Sequence, residues 1–293
     1  MNGLLIVNKP SGMTSHDVVN TVRRITKVRR VGHTGTLDPL ATGVLVLMIG
    51  PATRLARFIG ERKKAYRAVV RLGEATTTYD AEGDVTERHA VNVTVEAIEV
   101  ALDQFRGTLE QQPPMYSAIK VRGKKLYQLA RQGKEIERAP RPITIYQLDM
   151  ADWTPPDLML EVACSAGTYI RSLAHDLGQV LGCGAHLRAL TRTAVGDFRL
   201  DQSYTLETLR TWGNEGRIEE ALLPPGVALS TMPVVQLTPV QEQAVRYGQA
   251  IIPDASPDAP FVQACDAQGN LVAVLIPGTP GTWQPKIVLP KLE

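Results

Sequence analysis

Short apolar runs and alternating segments predict the strands of a sheet along most of the chain. Residues 4–7 and 43–49 are uninterrupted apolar runs of strand length, and turn-forming residues follow the first of them. Residues 66–72 combine β-branched and aromatic side chains, which also favours a strand. Residues 143–150 and 158–164 flank a turn that contains two prolines, and we expect these two segments to be antiparallel neighbours.

Apolar residues at helical spacing predict helices between these strands. Ser15 can cap the first helix, which carries basic residues on its outer face. Residues 95–105 and 169–181 are the next two helical segments. The apolar faces of the first two helices comprise Val18, Val19, Val22 and Ile25, and then Val95, Ile98, Leu102 and Phe105. Helices placed among hairpin-type strands favour a mixed α/β or α+β sheet over a doubly wound parallel one.

The composition changes after the Leu-Pro-Pro-Gly segment at residues 223–226. Residues 227–293 contain three basic residues and show one helical segment, at 239–247, among short strands broken by glycine and proline. We therefore expect a first domain at 1–226 and a small β-rich domain at 227–293.

Composition places the chain among ordinary globular proteins. Of its 293 residues, 44% are hydrophobic and 21% are charged, which excludes a disordered, collagen-like or coiled-coil protein. Three cysteines cannot form a disulfide framework, so we expect a reducing compartment. The sequence has no apolar run of about 18 residues and no secretory signal, so we expect a cytoplasmic protein without a membrane partner.

The formal net charge of +2 conceals a strong asymmetry. Residues 1–141 carry 23 Lys+Arg and 14 Asp+Glu, a net charge of +9, and residues 142–293 carry a net charge of −7. Each basic cluster taken alone is typical of a solvated helix face. Three clusters in one half of a nearly neutral protein favour a polyanionic partner whose phosphates they bind. These clusters lie at residues 23–30, 54–71 and 120–125.

Most familiar catalytic motifs are absent from the sequence. There is no phosphate-binding loop, no dinucleotide fingerprint and no serine nucleophile elbow. Cys183 and His186 have a metal-like spacing, but two ligands do not complete a tetrahedral site, and Cys164 and Cys183 are expected in the core. We therefore expect neither a metal nor a cofactor.

The densest candidate for chemistry is the segment 32–43, GHTGTLDPLATG. It holds three glycines, three threonines, His33 and Asp38 directly before an apolar strand. An aspartate before proline often only initiates a turn, and a loop histidine often only bonds a hydroxyl. The functional interpretation is a loop that brings its backbone close to a ligand and presents one carboxylate, beside basic residues that hold a phosphate backbone.

This segment, read as GHTGTLDPLATGVL, closely resembles the catalytic segment of the TruB family of tRNA pseudouridine synthases. Further segments resemble that family's motifs in the same order, and together they cover about residues 1–200. The tail after residue 226 is similar to the short PUA-like C-terminal domain of bacterial members. The further segments that match the family's motifs are NKPSGMTSHDVV, KAYRAVVRLGEATTTYDAEGD, QQPPMYSAIKVRGKKLYQLAR, CSAGTYIRSLAHDLG and GAHLRALTRTAVGDF.

The resemblance implies a fold and a reaction. The fold is α+β, with a mixed, mainly antiparallel central sheet flanked by helices and with an RNA-binding insertion around residues 120–140. The reaction is the isomerisation of uridine to pseudouridine at position 55 in the T-loop of tRNA, by base flipping and without a cofactor. Asp38 matches the catalytic aspartate, which attacks C1′ or deprotonates the sugar. Tyr66 matches the active-site tyrosine, and Arg171 matches the arginine that pairs with the aspartate.

The resemblance also implies residues that bind the substrate. Tyr169 and Leu190 match positions that line the uracil pocket, and His33 matches a histidine that fills the space left by the extruded nucleotide. Lys9 supports the active site together with Pro10, and Lys64 reaches a phosphate. Residues 191–193, Thr-Arg-Thr, stand where many members carry two basic residues, and we expect this difference to change at most one phosphate contact.

The expected partner is the T-arm of tRNA, bound by a monomer that needs no other protein. A guide-RNA-dependent synthase is one alternative, although its members carry a full PUA domain and the C-terminal part here is short and poor in basic residues. A non-catalytic RNA-binding or tRNA-folding protein is the second alternative. Pure binding needs none of Asp38, Tyr66 and Arg171, so their joint presence favours the enzyme.

Overall fold

Strands and helices alternate along the chain in a computed structural model that describes residues 1–117, 119–121, 123–130, 132–133, 136–254 and 257–291. The helices are α1 Ser15–Thr26, α2 Ala56–Gly60, α3 Val95–Asp103, α4 Leu126–Ala130, α5 Ile170–Val180, α6 Leu206–Asn214 and α7 Pro239–Arg246. The strands of the first half are β1 Gly3–Lys9, β2 Val31–His33, β3 Thr42–Ile49, β4 Lys64–Leu72, β5 Glu74–Thr76, β6 Val85–Arg88, β7 Gly107–Gln111, β8 Lys120–Val121 and β9 Lys124–Lys125. Those of the second half are β10 Arg141–Thr154, β11 Asp157–Cys164, β12 Ala185–Val195, β13 Phe198–Arg199, β14 Val234–Gln236, β15 Val262–Cys265, β16 Leu271–Pro277 and β17 Trp283–Val288.

A large central sheet organises the first part of the chain. Its strand order is β1-β3-β12-β4-β11-β10-β7, with β2 paired to β3 and β13 paired to β12. β3 and β12 are parallel, whereas the other pairings of this sheet are antiparallel. The expectation of an α+β fold with a mixed, mainly antiparallel sheet flanked by helices is confirmed, and so is the antiparallel pairing of β10 with β11.

Helices cover the sheet because each presents an apolar face to it. α1 and α6 pack on one side of β1 and β3, and the side chains of this cluster include Val18, Val22, Leu45, Leu47 and Leu209. α3 and α5 pack on β4, β10 and β11, and this second cluster includes Ile98, Leu102, Val70, Leu160 and Leu173. The two pairs of helices thus pack against different strands of the sheet.

The N-cap of the first helix lies one residue earlier than the sequence predicts. Thr14, not Ser15, is the N-cap: its side chain accepts from the backbone N–H of Asp17, and Asp17 accepts from the backbone N–H of Thr14. Ser15 is instead buried in the first turn. Its hydroxyl is therefore free to bond a distant loop, which is described below.

The second predicted helix is shorter than its apolar spacing indicates. α3 ends at Asp103, so Phe105 follows the helix rather than lying on it. Val95 is exposed at the first turn, whereas Ile98 and Leu102 are buried. Thr94 caps the start of the helix, where its hydroxyl accepts from the N–H of Ala97.

The C-terminal region is rich in β-structure, as predicted. Strands β14-β15-β16-β17 form a separate sheet with a parallel β14/β15 pair, and α7 packs on β16 and β17. One hydrophobic cluster joins Ala228, Leu229 and Val274 to Leu4 and Val46 of the central sheet. The domain boundary at residue 226 stays a prediction, because this shared core continues across it.

Part of the predicted RNA-binding insertion lies outside the described residues. This applies to Arg122, Arg131 and Lys134, and to the side chains of Lys120, Lys124 and Lys125. Among the described residues, no helix has the length and apolar character that a membrane span requires.

Candidate active site

The loop between β2 and β3 presents Asp38 at the edge of the central sheet. Asp38 begins a turn in which its carbonyl accepts from the N–H of Ala41 at 3.1 Å. The hydroxyl of Ser15 accepts from the N–H of Leu37 at 2.8 Å, and it also lies 3.1 Å from the carbonyl oxygen of Leu37, to which it donates. The start of α1 therefore anchors the loop directly beside the aspartate.

A buried lysine holds the same loop from the other side. Lys9, at the end of β1, has no exposed surface, and its ammonium donates to the carbonyls of Pro10 at 2.8 Å, Met13 at 2.6 Å and Pro39 at 3.2 Å. Burial lowers the pKa of Lys9 to about 8, while the negative charge of Asp38 opposes that shift. This position suits the supporting role that the resemblance implies for Lys9.

Arg171 lies at the start of α5 and pairs with Asp38. Its Nε is 2.9 Å from Oδ2 of Asp38. The guanidinium is almost fully buried, with 6% of the side chain exposed, whereas 40% of the Asp38 side chain is exposed. The pair thus has one face inside the protein and leaves the carboxylate open on the other.

Further contacts fix the orientation of Arg171. Its Nη1 lies 3.4 Å from Oδ2 of Asp80 and donates to the carbonyl of Thr78 at 3.1 Å. Its Nη2 donates to the carbonyl of Tyr116 at 2.7 Å. Asp80 is itself buried and accepts from the backbone N–H of Glu82. One arginine therefore bridges two carboxylates from different loops, a geometry for which the forked guanidinium is suited.

The surroundings of Asp38 act on its titration in both directions. Burial by the surrounding protein raises the pKa of the Asp38 carboxyl, although part of the side chain faces solvent. The positive charge of Arg171 opposes this rise, and the negative charge of Asp80 adds to it. A carboxylate with a raised pKa is a stronger base and nucleophile than an ordinary aspartate, and Arg171 favours its ionised form.

Two predicted pocket residues lie beside the loop within one hydrophobic cluster. Tyr66 on β4 and Leu190 on β12 are buried, and they share this cluster with Leu37 and Ile170, the neighbours of Asp38 and Arg171. Burial raises the pKa of the Tyr66 hydroxyl, so the ring is a neutral phenol at neutral pH. The structure therefore places an aromatic ring and an apolar side chain in the hydrophobic cluster that also contains the residues next to Asp38 and Arg171 in the chain.

Tyr169 is the N-cap residue of α5, two positions before Arg171. Its backbone is held by Gln111 at the end of β7: the N–H of Tyr169 donates to Oε1 at 2.8 Å, and its carbonyl accepts from Nε2 at 3.0 Å. The next turn is held as well, because the hydroxyl of Ser172 donates to the carbonyl of Gln112 at 3.1 Å. The side chain of Tyr169 is half-buried, which suits a pocket wall.

His33 lies at the end of β2, five residues before Asp38, and is half-buried. Burial lowers the pKa of His33, and the positive charge of Arg192 lowers it further. The imidazole is therefore uncharged at neutral pH. A flat neutral ring is well suited to stack where a base has been removed from its own stack.

Lys64 is buried at the start of β4. Its ammonium donates to the carbonyls of Gly60 at 2.8 Å and Arg62 at 3.0 Å, and burial lowers its pKa to about 8. A phosphate contact by Lys64 stays a prediction. In the described conformation its ammonium group is hydrogen-bonded to backbone carbonyls of the segment before β4.

Exposed basic side chains surround the far end of β2 and β3. Six of them form no ion pair with any described residue, and they comprise Arg24, Lys27, Arg29, Arg30, Arg54 and Arg57. Unpaired exposed cations of this number suit the binding of a phosphate backbone. In the described part of the chain, no three His, Cys, Asp or Glu side chains are placed to hold a metal ion.

Sequence reasoning missed three residues of the site. Asp80 carried a detectable signal, because it is an acid in the turn-rich segment 77–84. Its pairing with Arg171, however, joins two residues that are far apart in the chain. Gln111 is the first residue of the motif QQPPMYSAIKVRGKKLYQLAR, but a glutamine at a strand end is ordinary and does not indicate which group it bonds. Arg192 lies in the Thr-Arg-Thr segment, which the sequence linked only to a phosphate contact, but it is buried and donates to backbone carbonyls. The effect of the difference at residues 191–193 on a phosphate contact stays a prediction. The signal that could have indicated a buried role for Arg192 was its position within a strand that is largely apolar.

Family models match most of the chain. The model described as TruB family pseudouridylate synthase (N terminal domain) matches residues 23–170, and the model described as tRNA pseudouridylate synthase B C-terminal domain matches residues 171–230. The first match includes Asp38 and Tyr66, and the second begins at Arg171.

Similar curated proteins align over nearly the full length. One from Solibacter usitatus, named tRNA pseudouridine synthase B, is 44% identical over 293 residues, which is 99% of this chain and 100% of that protein. One of the same name from Pseudomonas aeruginosa is 43% identical over 277 residues, which is 94% of this chain and 91% of that protein.

A solved structure shares the fold. The crystal structure of a Cbf5-Nop10-Gar1 complex contains a chain that superposes with a TM-score of 0.72 at 28% identity, covering 94% of this chain and 78% of that chain. A structure of an H/ACA RNP bound to a substrate RNA containing 2′-deoxyuridine contains a chain with a TM-score of 0.73 at 23% identity, covering 98% and 85%.

Proposed function

The chain belongs to the TruB family of pseudouridylate synthases, and from this premise we propose that it isomerises uridine 55 in the T-loop of tRNA. It is a pseudouridine synthase, and its relatives named tRNA pseudouridine synthase B support tRNA as the substrate. The observation that carries the proposal is the 2.9 Å pair of Asp38 with Arg171, whose carboxylate remains open to a substrate. The unpaired basic surface supports a polyanionic substrate.

The proposed reaction breaks one bond and forms another on the same nucleotide. The N1–C1′ bond of uridine breaks, the uracil turns, and a C5–C1′ bond forms while C5 loses a proton and N1 gains one. No atom is added and no electron leaves, so the reaction needs no oxidant or energy source. Asp38 acts either as the nucleophile at C1′ or as a base on the sugar, and both roles require its ionised form.

The neighbours of Asp38 have distinct roles in this proposal. Arg171 orients the carboxylate and favours its charge. Tyr66 stacks on the flipped uracil and brings its hydroxyl near C5, while Leu190 and the ring of Tyr169 form the walls of the pocket. His33 occupies the gap in the T-loop, and stacking there recovers part of the cost of base flipping.

We propose that the enzyme works alone as a monomer in the cytoplasm. Relatives of the same length carry the name of a tRNA-modifying enzyme, which supports action without a guide RNA. Its three cysteines are buried free thiols, which suits a reducing compartment. The Cbf5 chain of similar fold comes from a complex with Nop10 and Gar1, so dependence on partners is the competing possibility to test.

The test is product mapping on defined RNA. Purified protein is incubated with an unmodified T-arm stem-loop, without metal, nucleotide, guide RNA or added protein. Because the product has the same mass as the substrate, it is mapped by mass spectrometry after a chemical derivatisation that is specific for pseudouridine. One pseudouridine at position 55 is expected, and total tRNA from cells lacking this modification should gain it at the same place. Product only upon addition of a guide RNA would favour the guide-dependent alternative.

A matched variant separates catalysis from binding. Asp38→Asn keeps the size of the side chain and removes its charge, so we expect no detectable product and RNA affinity within about threefold of the unchanged protein. Retained activity in this variant would contradict the role of Asp38. Retained binding with no product in either protein would favour the non-catalytic RNA-binding alternative.

A further inference from the structure

Arg192 is the largest fully buried side chain among the described residues, with 2% of its surface exposed. It forms no ion pair with a described carboxylate. Its guanidinium donates to three backbone carbonyls, from Nε to Val44 at 2.8 Å, from Nη2 to Gly35 at 3.1 Å and from Nη1 to Thr36 at 3.4 Å. These acceptors lie on both sides of Asp38 in the chain, so one side chain ties together the two ends of the catalytic loop.

The sheet places Arg192 between the two strands that carry the site. Along β12, Arg192 pairs with Gly43 of β3 on one side and with Tyr66 of β4 on the other. The contact with β3 is so close that a Cβ on Gly43 would lie 2.3 Å from the carbonyl oxygen of Arg192. The position of Arg192 therefore sets the distance between the loop of Asp38 and the strand of Tyr66.

The charge of Arg192 also acts on Tyr66. Burial raises the pKa of the Tyr66 hydroxyl, and the positive charge of Arg192, with a side-chain hydrogen bond, opposes the rise. Arg192 and Tyr66 are register partners on the neighbouring strands β12 and β4, so the guanidinium and the phenol belong to adjacent positions of the sheet. A buried guanidinium thus bonds the loop of the candidate nucleophile and lies at the strand position paired with the candidate stacking residue.

Stability alone does not explain a cation at this position. Removing a charge from water is costly, and well-packed apolar residues often replace buried ions without loss of stability. A phosphate contact does not explain it either, because the side chain is fully buried. We propose that Arg192 is a positioning residue for pseudouridine formation, which holds the Asp38 loop and the Tyr66 hydroxyl in their reactive arrangement. This inference rests on the proposed function.

The test compares Arg192→Lys with Arg188→Lys on the same strand. Arg192→Lys keeps the charge but cannot reach three carbonyls and a hydroxyl together, whereas Arg188 is exposed and pairs with Asp157. Four quantities are measured on a T-arm stem-loop: the single-turnover rate, kcat, KM and the Kd. For Arg192→Lys we expect the rate and kcat to fall by about 100-fold while KM and Kd stay within about threefold. Arg188→Lys should leave all four unchanged.

A second variant tests the link to Tyr66. If Arg192 acts partly through the Tyr66 hydroxyl, Arg192→Lys should slow the reaction less in a Tyr66→Phe background than in the unchanged protein. Equal fold-changes in both backgrounds would overturn the link to Tyr66. An unchanged rate, an equal loss of rate and affinity, or an unfolded Arg192→Lys protein would each overturn the positioning role. Absence of product in the unchanged protein would refute the proposed function instead.

Discussion

The Nε atom of Arg171 lies 2.9 Å from Oδ2 of Asp38, although the two residues belong to opposite halves of the chain. The arginine comes from the first turn of α5 and the aspartate from the loop between β2 and β3. Because the guanidinium is buried and the carboxylate half-open, the protein supplies orientation from inside and offers the charge to a ligand outside. This division between a fixed and an accessible partner is what a preorganised catalytic group requires.

The acid limb of the pH–rate profile should shift when Asp80 is substituted. The pKa of Asp38 is raised by burial and further by the charge of Asp80, and activity needs the ionised form, so the rate falls as the pH drops through this raised pKa. Asp80→Asn removes the second effect, and we expect the limb of the single-turnover rate to move to lower pH by up to about one unit. The plateau rate should fall because Arg171 loses an anchor.

Glu82→Gln provides the control for this shift. Glu82 lies on the same loop but does not pair with Arg171 among the described contacts, so its variant should move the limb less. A limb that moves to higher pH in Asp80→Asn, or that moves equally in both variants, would contradict the assigned electrostatics.

Gln111 should prove more important than its neighbour Gln112. Gln111→Met removes both hydrogen bonds to the backbone of Tyr169 and leaves its N–H unpaired, whereas its carbonyl still accepts from the N–H of Leu173. We expect the free energy of unfolding to fall by about 1–3 kcal/mol, the cost of one unpaired polar group that is shielded from water. Urea denaturation measures the change. Gln112→Met, at an exposed position, should alter it by less than about 0.5 kcal/mol.

The close approach of β3 and β12 should make Gly43 intolerant of a side chain. Gly43 has a φ of +98°, and an added Cβ would meet the backbone of Arg192. Gly107 has a similar φ of +87° but nothing within 4 Å of its Cβ position. Both variants place an alanine at a positive φ and are therefore strained, but only in Gly43→Ala does the new Cβ also clash with the backbone of a neighbouring strand.

We expect Gly43→Ala to be less stable than Gly107→Ala by about 1–3 kcal/mol. Thermal unfolding of the two proteins measures the difference. Equal losses of stability would mean that β3 and β12 can move apart and that their contact does not define the site.

RNA affinity should fall steeply with salt because the basic surface releases counterions from the phosphate backbone. Lys27 and Arg29 are exposed, and neither pairs with a described acid. The double variant Lys27→Ala/Arg29→Ala should flatten the slope of log K against log salt by about 1–2, as measured by filter binding to tRNA. Arg217→Ala is the control, since Arg217 pairs with Glu215 and Glu220 and should leave the slope unchanged.

Much of the fold and part of the site could be predicted from the sequence. Apolar runs and helical spacing encode β1, β3, α1 and α5, because burial of one face is a local property of the chain. The motif around Asp38 indicated the family, and through it the partnership with Arg171. The N-cap of α1 was predicted wrongly because Thr14 and Ser15 are both residues that cap helices well. Only the position of the loop that carries Leu37 decides that the hydroxyl of Ser15 bonds this loop while Thr14 caps the helix.

The sequence by itself determined the fold class, the family and the identity of the candidate catalytic pair. Only the tertiary structure decided that Asp80 joins that pair, that Gln111 holds the start of α5 and that Arg192 lies buried between Asp38 and Tyr66. The reason is that periodicity reports the environment of each segment, whereas strand order and register decide which distant residues meet. β12 lies between β3 and β4 in the sheet but far beyond both in the chain, so no local pattern could place Arg192 there.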